Sequence, residues 1–444
     1  MKKFILPLIA LSLFSCTKDE IILDEVTSIN PIPQTIYNTS VQNHEWNDGW
    51  YSTILDNINN GGSSKVEFHC GGTYLDYDFD GDMDMFVVSE YLLDDNGNKR
   101  PNSDYTIVLL ENQGLGVNRK IKWNLVEDKI STQPKRIYRK VVSGDIDNDG
   151  DLDIVAFNAE DPYEGNGNRI MGGIDIFRFN DGVFTFEEVV PYSTTMHNYF
   201  HGGALGDING DGFIDIVSGT TSLKIFLNNN GTFTNDFIEP TEYSETGKGL
   251  TQMFSHEVFD INGDGYNDLL LGTARSINNS GYWNTYGEEG GIKLYAKHSE
   301  IFYGKPDYPY FEKEPSVILD SEYEFSTDDN WRILTWDGNM DWVITDFDDD
   351  GDYDFFTYVI RPYVAGGPSL ISYYENQDNN FIIKTKEVFG YNQEFFNDGV
   401  SWLKVWDIDG DGNKEILIEE SNTTGFNAWI KKSDNKYYQE TITR

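Results

Sequence analysis

From residue 65 onward, apolar and polar positions alternate in short runs separated by acidic or Asn/Gly-rich turns. Met85-Phe-Val-Val88, Tyr105-Thr-Ile-Val-Leu-Leu110, Ile154-Val-Ala-Phe157 and Ile174-Asp-Ile-Phe-Arg-Phe179 are rich in β-branched and aromatic side chains. Such short runs predict strands, and turns such as Asn180-Asp-Gly182 and Asn228-Asn-Asn-Gly231 suit antiparallel hairpins. The runs fall into repeating groups of four. Strand A, such as Lys140-Val-Val-Ser143, enters an acidic loop, and strand B leaves it at 85–88, 154–157, 216–217, 269–271, 355–356 and 416–418. Strand C follows at 105–110, 174–179, 223–227, 292–295, 370–374 and 427–430, and strand D returns, as at 183–186 and 437–442.

The loop between strands A and B has a fixed pattern. In Asp145-Ile-Asp147-Asn-Asp149-Gly150-Asp151-Leu-Asp153, acids occupy positions 1, 3, 5, 7 and 9, with glycine at position 6. The pattern recurs at Asp76, Asp78, Asp80, Asp82 and Asp84; at Asp207, Asn209, Asp211 and Asp215; and at Asp260, Asn262, Asp264 and Asp268. It recurs again at Asp346, Asp348, Asp350, Asp352 and Asp354, and at Asp407, Asp409, Asp411 and Glu415. The runs begin at 76, 145, 207, 260, 346 and 407, so the spacings are 69, 62, 53, 86 and 61 residues. One such run would read as a solvated Asx-rich turn. Solvation explains neither the recurrence nor the invariant glycine. Carboxylates at alternate positions of a tight loop converge on one centre, and Ca²⁺ takes six to eight oxygens. Glycine permits the sharp turn at position 6, position 7 offers its carbonyl, and position 9 completes the cage. The first nine positions match an EF-hand loop, but the flanks read as strands and position 12 carries no glutamate. Up to six Ca²⁺ are expected. The acid-rich loops at Asp76, Asp145 and Asp346 should bind tightest, and the Asn-containing loops at Asp207 and Asp260 should empty first.

Six four-stranded units of about sixty residues predict an all-β fold, a β-propeller of six clear blades with a seventh possible. A ring is favoured over an open solenoid because the terminal units carry no distinct polar cap. Residues 36–64, with Trp46 and Trp50, are expected to pack on the propeller of residues 65–444. Hydrophobic residues make up 39% of the chain and aromatics 15%, enough for a core despite the charge. The net charge of −42 argues against nucleic acid and anionic membrane surfaces as partners. The six loops hold 26 of the 75 Asp and Glu, so without a cation they repel themselves.

The first 15 residues read as a targeting segment: Lys2 and Lys3 precede an apolar run, 4–14, too short to span a bilayer. Leu13-Phe14-Ser15-Cys16 resembles a bacterial lipobox, which implies cleavage before Cys16 and lipid on its sulfur. Thr17-Lys18-Asp19-Glu20 is similar to the short Lys–acid signal that sends lipoproteins of Bacteroidetes-type bacteria to the outer face of the outer membrane. Residues 16–35 read as a tether, so membrane attachment is expected through the lipid alone. Cys70 is then left unpaired, as a small buried hydrophobe.

The repeats resemble the FG-GAP (or VCBS) repeats of the integrin alpha propeller, and Leu269-Leu-Leu-Gly-Thr-Ala274 is similar to the GAP half of that repeat. The resemblance implies calcium at the six loops. The same repeat occurs in calcium-dependent lectins and in rhamnogalacturonan lyases, so fold alone does not fix function. No nucleophile motif, zinc spacing or phosphate loop is present, and the paired carboxylates are already assigned to metal. The expectation is a monomeric, non-catalytic, surface-exposed lipoprotein that binds a glycan or an extracellular protein. The alternative is a polysaccharide lyase, which would need a base not engaged with metal. Candidate ligand-binding residues sit at the starts of A strands: His69, Arg136, Tyr138 and His201, with Trp402 from the last blade. There they would line a pocket for an anion or sugar near the central channel. The more ordinary outcome for such groups is to fill the channel or pair with nearby acids.

Overall fold

The structure, a computed structural model, describes residues 65–80, 84–93, 98–101, 106–115, 121–132, 136–161, 170–190, 202–219, 223–233, 250–275, 284–289, 292–296, 299–312, 315–319, 325–326, 331–335, 339–360, 369–389, 400–406, 414–420, 425–431 and 437–443. All of these belong to one compact unit, Pro33–Arg444. The expected targeting segment, tether and extension, with Cys16, lie outside the described residues.

The fold is all-β, and its sheets follow the predicted groups of four. The first comprises β1 (Lys65–Leu75), β2 (Asp84–Leu93), β3 (Thr106–Leu115) and β4 (Ile121–Val126), hydrogen-bonded in that order. The second comprises β5 (Ile137–Gly144), β6 (Asp153–Asp161), a short β7 (Ile170–Met171), β8 (Ile174–Asn180) and β9 (Val183–Val190). The third has β10 (Gly202–Gly206), β11 (Asp215–Gly219) and β12 (Leu223–Phe226), followed by a small hairpin of β13 (Asn228–Asn229) and β14 (Thr232–Phe233).

The fourth sheet corrects one sequence expectation. Its A and B strands are β15 (Leu250–Phe259) and β16 (Asp268–Arg275), as expected. Residues 292–295 are not its strand C. They lie in a separate mixed sheet of β17 (Asn284–Glu289), β18 (Ile292–Ala296), β21 (Phe325–Ser326) and β22 (Trp331–Thr335), where β18 pairs β22 in parallel. The place beside β16 is taken by β19 (Glu300–Phe302), backed by β20 (Val317–Ile318). Alternation marks a strand but not its partner, and this inserted sheet accounts for the long 86-residue spacing. The last two groups are β23 (Asn339–Thr345), β24 (Asp354–Ile360), β25 (Ser369–Gln377) and β26 (Asn380–Ile383), then β27 (Val400–Trp406), β28 (Glu415–Glu420), β29 (Gly425–Lys431) and β30 (Tyr437–Thr443). A five-residue helix, α1 (Thr385–Phe389), follows β26.

All six A–B hairpins share one register. Leu75 pairs Asp84, Gly144 pairs Asp153, Gly206 pairs Asp215, Phe259 pairs Asp268, Thr345 pairs Asp354 and Trp406 pairs Glu415. Each acidic run is thus an eight-residue loop closed by its ninth-position acid. The A strands neighbour one another in chain order, β1–β5–β10–β15–β23–β27. Apolar clusters fill each space between successive sheets: Phe86 and Val88 meet Phe177 and Phe184, Phe157 meets Leu205 and Phe226, and Ala204 meets Val258 and Leu269. Leu270 and Ile301 then meet Trp342 and Phe355, and Phe356 and Tyr373 meet Leu403 and Ile416. Stacked sheets in sequence are consistent with propeller blades; no closed ring is seen among the described residues.

β10 is thin because its neighbours press on it. A Cβ on Gly203 would lie 2.1 Å from the Phe157 ring, and one on Gly206 would lie 2.2 Å from Val258. Across this narrow strand, Lys140 of β5 reaches β15, donating to the His256 carbonyl at 2.9 Å and to Glu257 Oε1 at 3.0 Å. Lys140 and Glu257 are both fully buried, so this ion pair joins sheets that are not neighbours in sequence. Burial, and then Lys140, push the His256 imidazole down to about 3, so it is neutral and leaves the lysine its carboxylate partner.

Gly206→Ala should therefore destabilise the fold by about 1–3 kcal/mol through overpacking. Adding Val258→Ala should recover part of that loss, giving a coupling of at least about 0.5 kcal/mol in denaturant unfolding. Simply additive costs would contradict the close approach of β10 to β15.

Candidate metal loops

The described loops repeat one backbone path. The position-6 glycines Gly150, Gly212, Gly265 and Gly351 have φ of 97°, 88°, 92° and 101°, the left-handed region the sequence assigns to this position. Position 4 is left-handed too, at Phe79, Asn148 and Asp349 (φ 60°, 58° and 62°) and at Gly210 and Gly263. Sequence reading overlooked this second turn, although glycine at position 4 in three of the six loops signals it. Position 2 anchors the loop: Tyr77, Ile146, Ile208, Ile261 and Phe347 are all buried in the clusters between sheets.

Inside the loop, the first carboxylate faces backbone N–H groups. Asp145 accepts from Asp149 and Gly150 at 3.1 Å each, and Asp260 accepts from Asp264 and Gly265 at 3.0 and 2.9 Å. The fifth-position carboxylate accepts from the position-7 N–H, as Asp149 does from Asp151 at 3.0 Å and Asp350 from Asp352 at 3.1 Å. Three groups bring carboxylate oxygens within 4.8 Å of one another: Asp76, Asp78 and Asp84; Asp145, Asp147 and Asp149; and Asp346, Asp348 and Asp350. The two Asn loops differ. Asn209 donates to Asp211 and Asn262 to Asp264, both at 3.0 Å, so each amide neutralises part of its own loop.

Position 9 has a second duty that sequence reading lacked. Asp84, Asp153, Asp215, Asp268 and Asp354 are at most 1% exposed. One oxygen of each accepts from the position-2 N–H, at 3.2, 3.2, 2.9, 3.0 and 3.0 Å. In four of them the other oxygen accepts from strand C or from two residues beyond its end: Phe179 to Asp153, Asn228 to Asp215, Gly304 to Asp268 and Asn376 to Asp354, at 2.7–2.8 Å. The carboxylate therefore staples loop, strand B and strand C together. Other side chains tie the second, third and fifth loops to the following sheet. Asn228 donates to the Ile146 carbonyl at 2.7 Å, Asn267 to that of Asp207 at 2.8 Å, and Lys414 to that of Asp346.

This arrangement resists its own negative charge. Burial first, then neighbouring carboxylates, pushes Asp153, Asp215 and Asp268 up to about 7 against opposing backbone hydrogen bonds, and burial and nearby acids push Asp352 up to about 6. Asp78, Asp145, Asp260 and Asp348 are also raised, with burial as the largest cause. A raised folded-state pKa means stability that is full below about 4 and is lost as pH rises through the folded value. At neutral pH a cation in the loop relieves that loss. Among the described residues, two buried carboxylate oxygens have no hydrogen-bond partner, Asp147 Oδ1 and Asp352 Oδ1, one in each of two acid-rich loops. An all-oxygen donor set with orphaned carboxylate oxygens fits a hard cation such as Ca²⁺. Asp82, Asp407, Asp409 and Asp411 lie outside the described residues, as does the side chain of Glu415.

Of the proposed ligand residues, Arg136 and Tyr138 have described side chains, and both pair with acids of their own sheet. Arg136 pairs with Asp175 and Glu188 and lies 5.2 Å over the Phe186 ring. Tyr138 is fully buried between the first two sheets and donates to Asp175 at 2.6 Å. A bulge between Tyr138 and Lys140 accompanies this arrangement, and Lys140, rather than Arg136, crosses to β15. His201 and the side chains of His69 and Trp402 lie outside the described residues.

Comparison with curated proteins finds no match for this chain. Comparison with known families finds one for residues 76–156 and 207–271, which span the first, second, third and fourth acidic loops. With the shared hairpin register and loop path, that match shows FG-GAP-like repeats at residues 76–156 and 207–271.

Proposed function

We propose that this chain is a calcium-stabilised β-propeller that serves as a non-catalytic binding module for a glycan or an extracellular protein. On this reading it is a monomer held at the outer face of an outer membrane by lipid on Cys16. The observation that carries the calcium assignment is the pair of buried, partnerless oxygens on Asp147 and Asp352 within loops of converging carboxylates. Asp76, Asp78 and Asp84, then Asp145, Asp147 and Asp149, then Asp346, Asp348 and Asp350 would hold the ions. Bound Ca²⁺ would neutralise charge that burial otherwise opposes. The binding face we assign to the loop end of the sheets. Phe79 and Tyr266, on loop positions 4 and 7, are 62% and 41% exposed. Tyr308 is 52% exposed and stands edge-on to Tyr310, 6.0 Å away. Exposed aromatic rings among acidic loops suit a partner that offers apolar faces and hydroxyl or cationic groups. A glycan and protein array, read with millimolar calcium and with excess chelator, tests the assignment. Ligands should be retained only with calcium, and an array with none under either condition would contradict a binding role.

Two predictions concern single residues. At ten times its dissociation constant, each bound ion adds about 1.4 kcal/mol to folding stability. Calcium should therefore raise the melting temperature over chelator, and Asp350→Ala should lose more of that rise than Asp211→Ala. Superimposable melting curves with and without calcium would end the structural role of the metal. Arg136→Ala should leave Asp175 buried without its cation and cost about 3 kcal/mol in denaturant unfolding, and Asp175→Asn in the same chain should restore part of it. If Arg136→Ala unfolds like wild type and loses ligand instead, Arg136 belongs to a binding pocket.

A further inference from the structure

One strand-C position sets the charge beside every described loop. In each sheet, the residue after the position-9 acid pairs with a strand-C residue: Met85 with Leu110, Ile154 with Phe177, Ile216 with Phe226, Leu269 with Phe302 and Phe355 with Tyr374. The next residue along strand C is therefore equivalent in all five sheets. It is Glu111, Arg178, Leu227, Tyr303 and Glu375 in turn. Beside the first and fifth loops the position adds a carboxylate, and Glu111 Oε1 accepts from the hydroxyl of Tyr77, position 2 of the first loop, at 3.2 Å. Beside the third and fourth loops it is uncharged. Only beside the second loop is it cationic.

Arg178 sits within its loop's acids. Its Nη1 lies 3.3 Å from Asp147 Oδ2 and 3.8 Å from Asp153 Oδ2, and its Nε is 2.7 Å from Glu187. Nη2 donates to the Gly231 carbonyl of the third sheet. The guanidinium is only 14% exposed. Gly231 makes room for the contact, since a Cβ there would lie 2.8 Å from Asp147 Cβ.

We infer that Arg178 is a built-in cation that makes the second loop the least calcium-dependent of the acid-rich loops and the weakest calcium site among them. The inference rests on the calcium reading above, and it reverses the sequence expectation that the Asp145 loop ranks with those at Asp76 and Asp346. The guanidinium supplies fixed positive charge where acid count alone demands an ion, and it repels an ion arriving at Asp145, Asp147 and Asp149. It also ties the loop to the next sheet in the absence of metal. The fifth loop has Glu375 in the same place, and its ion pair among the described residues, with Lys414, falls on Asp349 at position 4, 2.7 Å away, rather than on the alternate-position acids.

The test uses the full chain with Arg178→Gln, Arg178→Lys and Glu375→Gln. In excess chelator Arg178→Gln should melt below wild type, and millimolar calcium should close the gap. Its calcium-induced rise in melting temperature should thus exceed that of wild type. Arg178→Lys, which keeps the charge, should show the wild-type rise, and Glu375→Gln a smaller one. In calorimetric calcium titrations, one class of sites in Arg178→Gln should tighten by about tenfold. An equal deficit with and without calcium would make Arg178 a strut between sheets and overturn the inference. A wild-type calcium response that Arg178→Gln leaves unchanged would overturn it as well, while sparing the calcium reading. A wild type with no calcium response would remove both.

Discussion

A carboxylate that must stay buried at the base of each loop is the constraint on which the rest of this structure depends. Asp153, Asp215, Asp268 and Asp354 satisfy both oxygens with backbone N–H groups, one from the loop and one from strand C or two residues beyond it. This requirement fixes the loop length, because the acid must fall opposite the last residue of strand A. It fixes position 2, whose N–H is a donor and whose side chain then points into the space between sheets. It also fixes where strand C may run. The six hairpins share a register because they solve one problem in one way.

The second consequence is electrostatic. Burial opposes ionisation of these acids, yet the loops place more carboxylates around them. The chain offsets the charge in three ways. Asn209 and Asn262 replace an acid by an amide that donates to its neighbour. Arg178 brings a fixed cation to the second loop. At the fifth loop Lys414 pairs with Asp349, and on the calcium reading proposed above the remaining acids are left to an ion from solution. The same economy of charge holds in the interior, where Lys140 and Glu257 are buried together and Arg136 covers Asp175. Breaking such a pair costs more than never having had it, and Lys140–Glu257 in this way links the second sheet to the fourth.

Much of this was legible in the sequence. The period-2 runs place the six B strands and five of the six C strands, and the nine-residue acidic pattern marks the turn between the first two strands of each blade-like sheet. Ile292–Ala296 was misplaced because its alternation is as good as that of a blade strand; its partners, residues 284–289 and 331–335, are known only from the pairing. The double role of position 9 was hidden because a buried staple and a metal ligand need the same side chain. Pairing with nearby acids is the ordinary outcome expected of Arg136 and Tyr138, but the partner, Asp175, could not be named because it sits 39 and 37 residues away on another strand. The cation at Arg178 was equally invisible: it lies 31 residues from Asp147, and only strand register brings the two together.

The central claim is that calcium occupies the acidic loops. Crystals grown in millimolar calcium, with diffraction collected where calcium scatters anomalously, test it most directly. The account predicts anomalous peaks among Asp76, Asp78 and Asp84 and among Asp346, Asp348 and Asp350, with a weaker peak or none at the Asp145 loop beside Arg178. Well-ordered carboxylates at the first and fifth loops with no anomalous density between them would contradict it.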